Sequence, residues 1–183
     1  MSAPFPHWMS WLLDNPLRAL FISPQTLADR IPIRPTDRIL EIGPGPGYFS
    51  LELARRIPEG HLELLDVQPE MLDKARRKLA EALVRNVGFT TADAGKPLPL
   101  ARASFDVAVL VTVLGEVSDP GVALDSLRDV LKPNGILVIH EHLPDPDIIP
   151  LEWLRRVITA RGFSVLKVTG PSWNYTAVFR RDA

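Results

Sequence analysis

From residue 37 onward, short apolar runs typical of strands alternate with runs of helical periodicity, and this alternation restricts the fold more than any other feature of the chain. Consecutive strands joined by helical crossovers pair in parallel, and a parallel sheet is covered by helices on both faces. The pattern therefore predicts a doubly wound α/β domain over residues 37–183. The predicted strands are 38–42, 61–66, 86–91, 105–111, 136–141, 163–168 and 174–179, and the predicted helices are 48–57, 69–83, 120–131 and 151–161.

The two ends of the chain depart from this alternation. The last two predicted strands follow each other without a helix, which predicts an antiparallel hairpin at the sheet edge. Residues 1–36 carry apolar side chains at helical spacing, interrupted at Asn15-Pro16. We expect this segment, with Trp8 and Trp11, to form a helical lid over the cleft of a single-domain protein, because aromatic side chains exclude water well. The alternative is that its apolar stripe packs on the sheet or on the partner in a homodimer.

Composition excludes several classes of protein. The chain is 46% hydrophobic and 23% charged with a net charge of −1, which is typical of a globular protein and unfavourable for a nucleic-acid-binding face. We expect a cytoplasmic protein, because no signal peptide and no apolar run long enough to span a bilayer are visible. The absence of cysteine excludes disulfides, thiolate metal sites and a cysteine nucleophile.

A glycine-rich turn between the first strand and the first helix is the main functional signal. Gly43, Gly45 and Gly47 occupy alternate positions, so a ligand can lie against bare backbone near the N–H groups of a helix. Glu41 precedes the turn, and Asp66 ends the second strand. Because these strand ends border one crevice in a doubly wound sheet, Asp66 is placed to accept hydrogen bonds from two ribose hydroxyls.

A nicotinamide dinucleotide is the competing ligand for such a turn, but it fits less well. The dinucleotide spacing G-x-G-x-x-G requires glycine where this chain has Tyr48. Neither Tyr48 nor Tyr175 is followed four residues later by lysine, so one common dehydrogenase pair is missing. The carboxylate of Glu41 would also lie unfavourably close to a pyrophosphate. A nicotinamide-dependent oxidoreductase is therefore the less favoured interpretation.

Several motifs, in order, resemble those of the class I S-adenosylmethionine-dependent methyltransferases, and the likeness covers most of residues 37–183. Segment 41–47 is similar to the first motif of that family, and segment 65–76 to its second-strand motif. Thr-Ala-Asp-Ala at 91–94, Ser-Phe-Asp-Val at 104–107 and Leu-Lys-Pro-Asn-Gly at 131–135 resemble later family motifs. The group that contains the ubiquinone and menaquinone methyltransferases is the most similar in character.

The resemblance implies a Rossmann-like sheet of seven strands in the order 3-2-1-4-5-7-6, with one antiparallel strand, and S-adenosylmethionine as cofactor. By the same likeness, Asp66 binds both ribose hydroxyls, Met71 packs near the adenine, Asp93 accepts the adenine amino group, and Glu41 holds the amino group of the methionine end. The cofactor-binding residues implied in this way are Glu41, Gly43, Gly45, Gly47, Asp66, Val67, Met71, Asp93, Ala94 and Val111.

Candidates for a general base lie at the ends of the fourth and fifth strands. Alternation places His140 and His142 on one face, and a histidine titrates near the pH at which a phenol or hydroquinone must lose its proton. Glu116, after the fourth strand, is a further candidate. The competing interpretation gives both histidines a structural role. His140, His142, Asp145 and Asp147 have the ligand types of a metal site, but nothing in the sequence sets their geometry, and we predict no metal.

The sequence thus predicts methyl transfer to a small, hydrophobic or aromatic acceptor. The short connection between the last two strands leaves no room for a substrate cap there. The Asn-Pro-Pro-aromatic loop of amino-directed nucleic-acid methyltransferases is missing after the fourth strand, where the chain reads Thr-Val-Leu-Gly-Glu at 112–116. A non-catalytic module that binds S-adenosylmethionine or S-adenosylhomocysteine remains the alternative from another functional class.

Overall fold

A computed structural model describes residues 22–143 and 145–183 of the chain. These residues form seven strands and five helices in which strand and helix alternate through most of the chain. The strands are β1 (Arg38–Ile42), β2 (His61–Asp66), β3 (Val87–Thr91), β4 (Phe105–Val111), β5 (Leu131–His142), β6 (Phe163–Thr169) and β7 (Asn174–Arg181). The helices are α1 (Pro24–Arg30), α2 (Ser50–Arg56), α3 (Pro69–Glu81), α4 (Pro120–Val130) and α5 (Leu151–Thr159).

The strands form one sheet in the order β3-β2-β1-β4-β5-β7-β6. The pairs from β3 to β5 are parallel, and β7 runs antiparallel to both β5 and β6. The predicted fold class, strand order and single antiparallel strand are confirmed. The order reverses between β1 and β4, and in open α/β sheets the ligand crevice forms beside the carboxyl ends of the strands at such a point.

Buried apolar side chains form one core on each face of the sheet. Along β1, Leu40 and Ile42 belong to the core shared with α4 and α5, whereas Ile39 belongs to the core shared with α2 and α3. This division follows from the alternation of side chains along a strand. None of the helices in the described part of the chain is long and apolar enough to cross a bilayer.

The beginning of β5 differs from the predicted strand boundary. Leu131 pairs with Phe105, but the next pair joins Ile136 to Val107, so the register shifts between them. Pro133 lies in the extra stretch, and its missing N–H cannot join a strand ladder. The stretch before Ile136 is therefore a bulge within β5, and the strand begins before the predicted position.

Helix α1 lies in a part of the chain where no individual helix was predicted. It begins after Ser23, whose hydroxyl accepts a hydrogen bond from the backbone N–H of Thr26 at 3.0 Å and so caps the helix. Leu27 and Ile31 are buried in the core that includes α2. The described residues of the predicted lid segment thus pack on the domain. Trp8 and Trp11 lie outside the described residues, and the lid stays a prediction.

A network of charges lies at the amino ends of the parallel strands. Asp106, in β4, accepts hydrogen bonds from the backbone N–H of Arg38 and from the Lys132 ammonium, each at 2.9 Å. Asp37 accepts hydrogen bonds from the backbone N–H and the Nε–H of Arg34 at 2.8 and 2.9 Å. These hydrogen bonds and ion pairs connect the first residues of β1, β4 and β5 at the end of the sheet away from the crevice.

Candidate active site

A cavity of about 310 Å³ lies beside the carboxyl ends of β1, β2 and β4, where the strand order reverses. Its walls come from the β1–α2 turn, the β2–α3 junction, the residues after β3 and the β4–α4 connection. Every residue predicted to bind the cofactor lines it except Gly47. Those that do are Glu41, Gly43, Gly45, Asp66, Val67, Met71, Asp93, Ala94 and Val111.

The β1–α2 turn brings bare backbone to the cavity. Gly43 has φ of +63°, and a Cβ atom there would lie 2.5 Å from Cγ2 of Val113. A side chain at this position would therefore collide with the opposite wall. Gly47 has φ of +82°, and its missing Cβ would lie 3.2 Å from the Cβ of Ala75 in α3. Gly47 thus allows the turn to approach α3, and its predicted contact with the cofactor stays a prediction.

Glu41, the residue before the last of β1, is a buried acid in the cavity wall. Its side chain is 2% exposed, and Oε2 accepts a hydrogen bond of 2.6 Å from the hydroxyl of Ser50. Ser50 is the first residue of α2, so this hydrogen bond joins β1 to α2 across the turn between them. A carboxylate shielded from water in this way attracts a cationic ligand more strongly than one exposed to solvent.

Asp66 ends β2 and adjoins the glycine turn, because its carboxyl group accepts a hydrogen bond from the backbone N–H of Gly45. Oδ1 accepts a hydrogen bond of 2.9 Å from the backbone N–H of Gln68. Burial raises the pKa of Asp66 above its ordinary value, whereas hydrogen bonds from the backbone N–H groups of Gln68, Gly45 and Val67 oppose the rise. The carboxyl group is thus fixed in orientation and is an acceptor for hydroxyl groups.

The residues after β3 and the start of α3 add apolar surface and a more exposed acid to the cavity wall. Met71 is buried and lines the cavity together with Ala94. Asp93 accepts a hydrogen bond of 2.9 Å from the backbone N–H of Gly95, and its Oδ2 lies 3.6 Å from Nζ of Lys96. The apolar residues suit the faces of a planar base. The role of Asp93 toward an adenine amino group stays a prediction.

The predicted histidine bases do not line the cavity. His140 is fully buried, with Nδ1 at 3.0 Å from Oγ1 of Thr176, and that hydroxyl accepts a hydrogen bond of 2.8 Å from Arg30. The Nδ1 of His142 lies 3.0 Å from the backbone oxygen of Leu143. The two rings are 5.4 Å apart, as expected for one face of β5. This geometry favours structural roles, and catalysis by either histidine stays a prediction.

Glu116 is the predicted base that the structure brings to the cavity. It lies in the β4–α4 connection, and its backbone N–H donates to the backbone oxygen of Val113 at 3.0 Å. Val113 and Val117 line the same wall. Among the described residues, the predicted acid is therefore the one ionisable side chain in a wall that also contains the hydroxyl residues Thr112 and Ser118. Within residues 22–143 and 145–183, no group of three or more metal-ligating side chains is arranged to hold a metal ion.

Sequence reasoning missed several residues of the cavity wall, of which Thr112 is the most informative. Its φ of +50° is unusual for a β-branched residue, and its backbone N–H donates to the backbone oxygen of His140 at 2.8 Å. This turn of the backbone after β4 directs Val113 toward Gly43. Gln68 was also missed, although its place two residues after Asp66 puts it in the same strand-to-helix junction.

Comparison with known proteins decides the family. A family model described as a methyltransferase domain matches residues 33–158, which includes the glycine turn, Asp66 and the β4–α4 connection. The chain belongs to this methyltransferase family. The predicted family and its cofactor, S-adenosylmethionine, are thereby confirmed, and the nicotinamide alternative finds no support.

Curated relatives and solved structures agree with this membership. The chain is 35% identical over 139 residues to the ubiquinone/menaquinone biosynthesis C-methyltransferase UbiE of Vibrio parahaemolyticus, and 32% identical over 140 residues to that of Teredinibacter turnerae. These alignments cover 75% of this chain but only 52% and 54% of the relatives, so the chain spans about half their length. A methyltransferase structure from Aquifex aeolicus shares the fold, with a TM-score of 0.86 at 22% identity, over 96% of this chain and 98% of that one.

The cavity of this methyltransferase fits S-adenosylmethionine on two observations. Backbone without side chains faces the cavity at Gly43, where a Cβ atom would fill the space beside Val113. The buried carboxyl groups of Glu41 and Asp66 suit a ligand that carries positive charge and ribose hydroxyls. The same site thus satisfies the shape and the chemistry that the cofactor requires.

Proposed function

We propose that this methyltransferase transfers the methyl group of S-adenosylmethionine to a small, hydrophobic or aromatic acceptor. The observation that carries the proposal is the composition of the β4–α4 wall, where Glu116 stands among Val111, Val113 and Val117 in the cavity that also contains Glu41. Thr112 and Ser118 also line this wall, so in the described part of the chain Glu116 is its one ionisable side chain among valines and two hydroxyl groups, which suits an aromatic ring that must lose one proton. The curated relatives, named as C-methyltransferases of ubiquinone and menaquinone biosynthesis, support an acceptor of this kind.

The residues of the glycine turn and β2 hold the cofactor in this proposal. When bound, S-adenosylmethionine supplies a methyl group activated by its sulfonium. Glu41 would bind the amino group of the methionine end, Asp66 would accept hydrogen bonds from the ribose hydroxyls, and the bare backbone at Gly43 and Gly45 would leave room for the ligand. Met71 would pack near the adenine and Asp93 would accept a hydrogen bond from its amino group, and Val67 and Ala94 line the same cavity.

The residues of the β4–α4 wall act on the acceptor. Transfer of a methyl group is an in-line displacement, so the protein contributes chiefly alignment and exclusion of water. Val111, Val113 and Val117 provide the apolar surface against which a ring is aligned. Glu116 accepts the proton that a phenol, a hydroquinone or an activated ring carbon must release.

A panel of acceptors tests this function. The protein would be incubated with S-adenosylmethionine and, separately, with quinols, phenols, amines and thiols, while S-adenosylhomocysteine is quantified by mass spectrometry. We expect turnover with a quinol or phenol and a loss of turnover in Glu116→Gln that far exceeds the loss of cofactor affinity, which should be only about fivefold because Glu116 shares the cavity with the cofactor. Cofactor binding without turnover across the panel would favour the non-catalytic binding module, and turnover restricted to amines or thiols would overturn the acceptor class.

The lid forms a separate part of the proposal. We infer that the aromatic side chains Trp8 and Trp11 cover the acceptor when it is bound, because the connection between β6 and β7 is too short to supply a cap. A chain lacking residues 1–21 retains Ile22, which belongs to the core. We expect it to bind S-adenosylmethionine but to turn over more slowly, and equal turnover would reject the lid.

A further inference from the structure

Two buried side chains of neighbouring strands converge on the peptide groups of Ile149, in the connection between β5 and α5. Glu141 of β5 and Tyr175 of β7 are paired across the sheet, and both are at most 1% exposed. The backbone N–H of Ile149 donates to Oε2 of Glu141 at 3.4 Å, and the hydroxyl of Tyr175 donates to the backbone oxygen of Ile149 at 2.6 Å. The backbone N–H and the backbone oxygen of Ile149 are therefore both hydrogen-bonded to side chains of the sheet.

The segment that carries Ile149, residues 145–150, rests on the cavity wall. A Cβ atom on Gly115 would lie 2.3 Å from the backbone oxygen of Asp147, so the two stretches of backbone touch at a point where only glycine fits. The segment is itself braced, because the backbone N–H of Asp147 donates to Oδ1 of Asp145 at 2.8 Å. Gly115 immediately precedes Glu116. The position of Glu116 in the cavity thus depends on a segment that Ile149 anchors.

The surroundings of Glu141 show why this anchor is sensitive to charge. Within the described residues, its Oε1 is buried without a hydrogen-bond partner. The pKa of Glu141 is raised to about 8. Burial is the largest cause, the hydrogen bond from the backbone N–H of Ile149 opposes the rise, and the nearby carboxylates of Asp145 and Glu116 contribute to it. Glu141 is consequently protonated at neutral pH, which spares the segment a buried charge beside two acids.

We propose that Glu141 and Tyr175 are positioning residues that act through Ile149 and Gly115 to hold Glu116 in the cavity wall. Neither side chain lines the cavity. The inference rests on the proposed function only in giving Glu116 its role. It is tested through cofactor binding, which requires no acceptor, so failure of the acceptor panel leaves the test intact.

A double-mutant cycle in the full chain provides the test, with the dissociation constant of S-adenosylmethionine measured by titration calorimetry at pH 7. We expect Glu141→Ala to weaken binding about fivefold, Glu116→Gln to weaken it to a similar extent, and the double variant to be little worse than either single variant. Additive effects would show that Glu141 does not act through Glu116 and would overturn the proposal.

Two further variants distinguish a positioning effect from a general loss of folding stability. Tyr175→Phe removes only the hydroxyl that holds Ile149, so it should repeat the non-additive effect even if Glu141→Ala fails to fold. Glu141→Gln retains an acceptor for Ile149 and should restore cofactor binding at pH 7. It should also abolish the loss of binding that we expect in the original chain above about pH 8, where Glu141 ionises.

Asp106→Asn is the matched control, because it removes a carboxylate from the opposite end of the sheet. We expect it to lower stability while leaving the affinity for the cofactor and its pH profile unchanged. If Asp106→Asn weakens cofactor binding as much as Glu141→Ala does, or if Glu141→Gln fails to restore binding, the effect of Glu141 is one of stability alone and the proposal is wrong.

Discussion

The two ends of the parallel sheet place their acidic side chains in different surroundings. At the amino end, Asp106 accepts hydrogen bonds from the Lys132 ammonium and from backbone, and Asp37 is paired with Arg34. At the carboxyl end, Asp66 and Glu141 are buried, and the hydrogen bonds that orient them come from backbone N–H groups. The acids at the amino end of the sheet are therefore paired with cationic side chains, whereas those at the carboxyl end accept hydrogen bonds from backbone N–H groups.

The difference appears in the pKa values. Burial raises the pKa of Asp106, but the backbone N–H of Arg38 and the Lys132 ammonium outweigh it, and the net pKa is lowered. For Asp66 and Glu141 burial prevails, and the pKa is raised. Asp106 thus stabilises the folded chain as an anion, whereas the acids at the carboxyl end are less stable as anions until a ligand or a proton compensates them. We therefore expect the acids at the amino end to contribute to stability and those at the carboxyl end to ligand binding.

The largest effect should follow from Asp66→Ala, which removes the proposed acceptor for the ribose hydroxyls. We expect the affinity for S-adenosylmethionine to fall about 100-fold, because two hydrogen bonds to a charged group are lost from a site shielded from water. Titration calorimetry measures this change. The thermal midpoint should stay the same or rise, because a buried acid with a raised pKa is removed. A large fall in the midpoint would contradict the division of roles between the two ends.

The pH dependence of stability should reveal Glu141. Its folded pKa of about 8 lies above the ordinary value of 4.5, so the folded chain keeps a proton that the unfolded chain releases between these values. This group therefore lowers the free energy of unfolding as pH rises through that window, by up to about 1.4 kcal/mol per pH unit. Urea unfolding at pH 6, 7 and 8 should show a steeper decline for the original chain than for Glu141→Gln. Parallel curves would contradict the raised pKa.

Gly43→Ala should weaken cofactor binding about tenfold, since the new Cβ atom meets Val113 and the backbone has a positive φ that alanine adopts at a cost of about 1 kcal/mol. Gly121→Ala is a control from outside the cavity. There the new Cβ atom meets only the ends of the Arg161 and Asp119 side chains, at 3.0 and 3.1 Å. Equal affinities for the two variants, measured by calorimetry, would show that the glycine turn is not shaped for the ligand.

The smallest effect should come from Asp106→Asn, at the amino end. We expect a loss of about 1 kcal/mol in the free energy of unfolding at pH 7, because the ion pairs are partly exposed. Since the folded pKa lies below the ordinary value of 3.8, this contribution is complete above that value and is lost as pH falls through the folded pKa. Urea unfolding at pH 7 and pH 3 should therefore show the difference between variant and original chain shrinking with acid.

The parts of the site that could be predicted are those with a local signature. Gly43, Gly45 and Asp66 stand at the ends of neighbouring strands, and a parallel sheet brings such ends to one edge whatever the packing beneath. His140 and His142 were placed correctly on one face of β5. The groups that pack against that face could not be predicted. They include the hydrogen bond from Arg30 of α1 to Thr176 of β7, two residues that lie far apart in the sequence.

The sequence by itself determined the fold class from the alternation of elements, the family from short motifs in order, and the sheet order only through the resemblance to that family. Only the tertiary structure decided that Glu116 faces the cavity, that His140 does not, and that Glu141 and Tyr175 meet at Ile149. These outcomes depend on contacts between residues distant in the chain. A local pattern specifies on which face of a strand a side chain lies, but the packing of the remaining chain determines what it meets there.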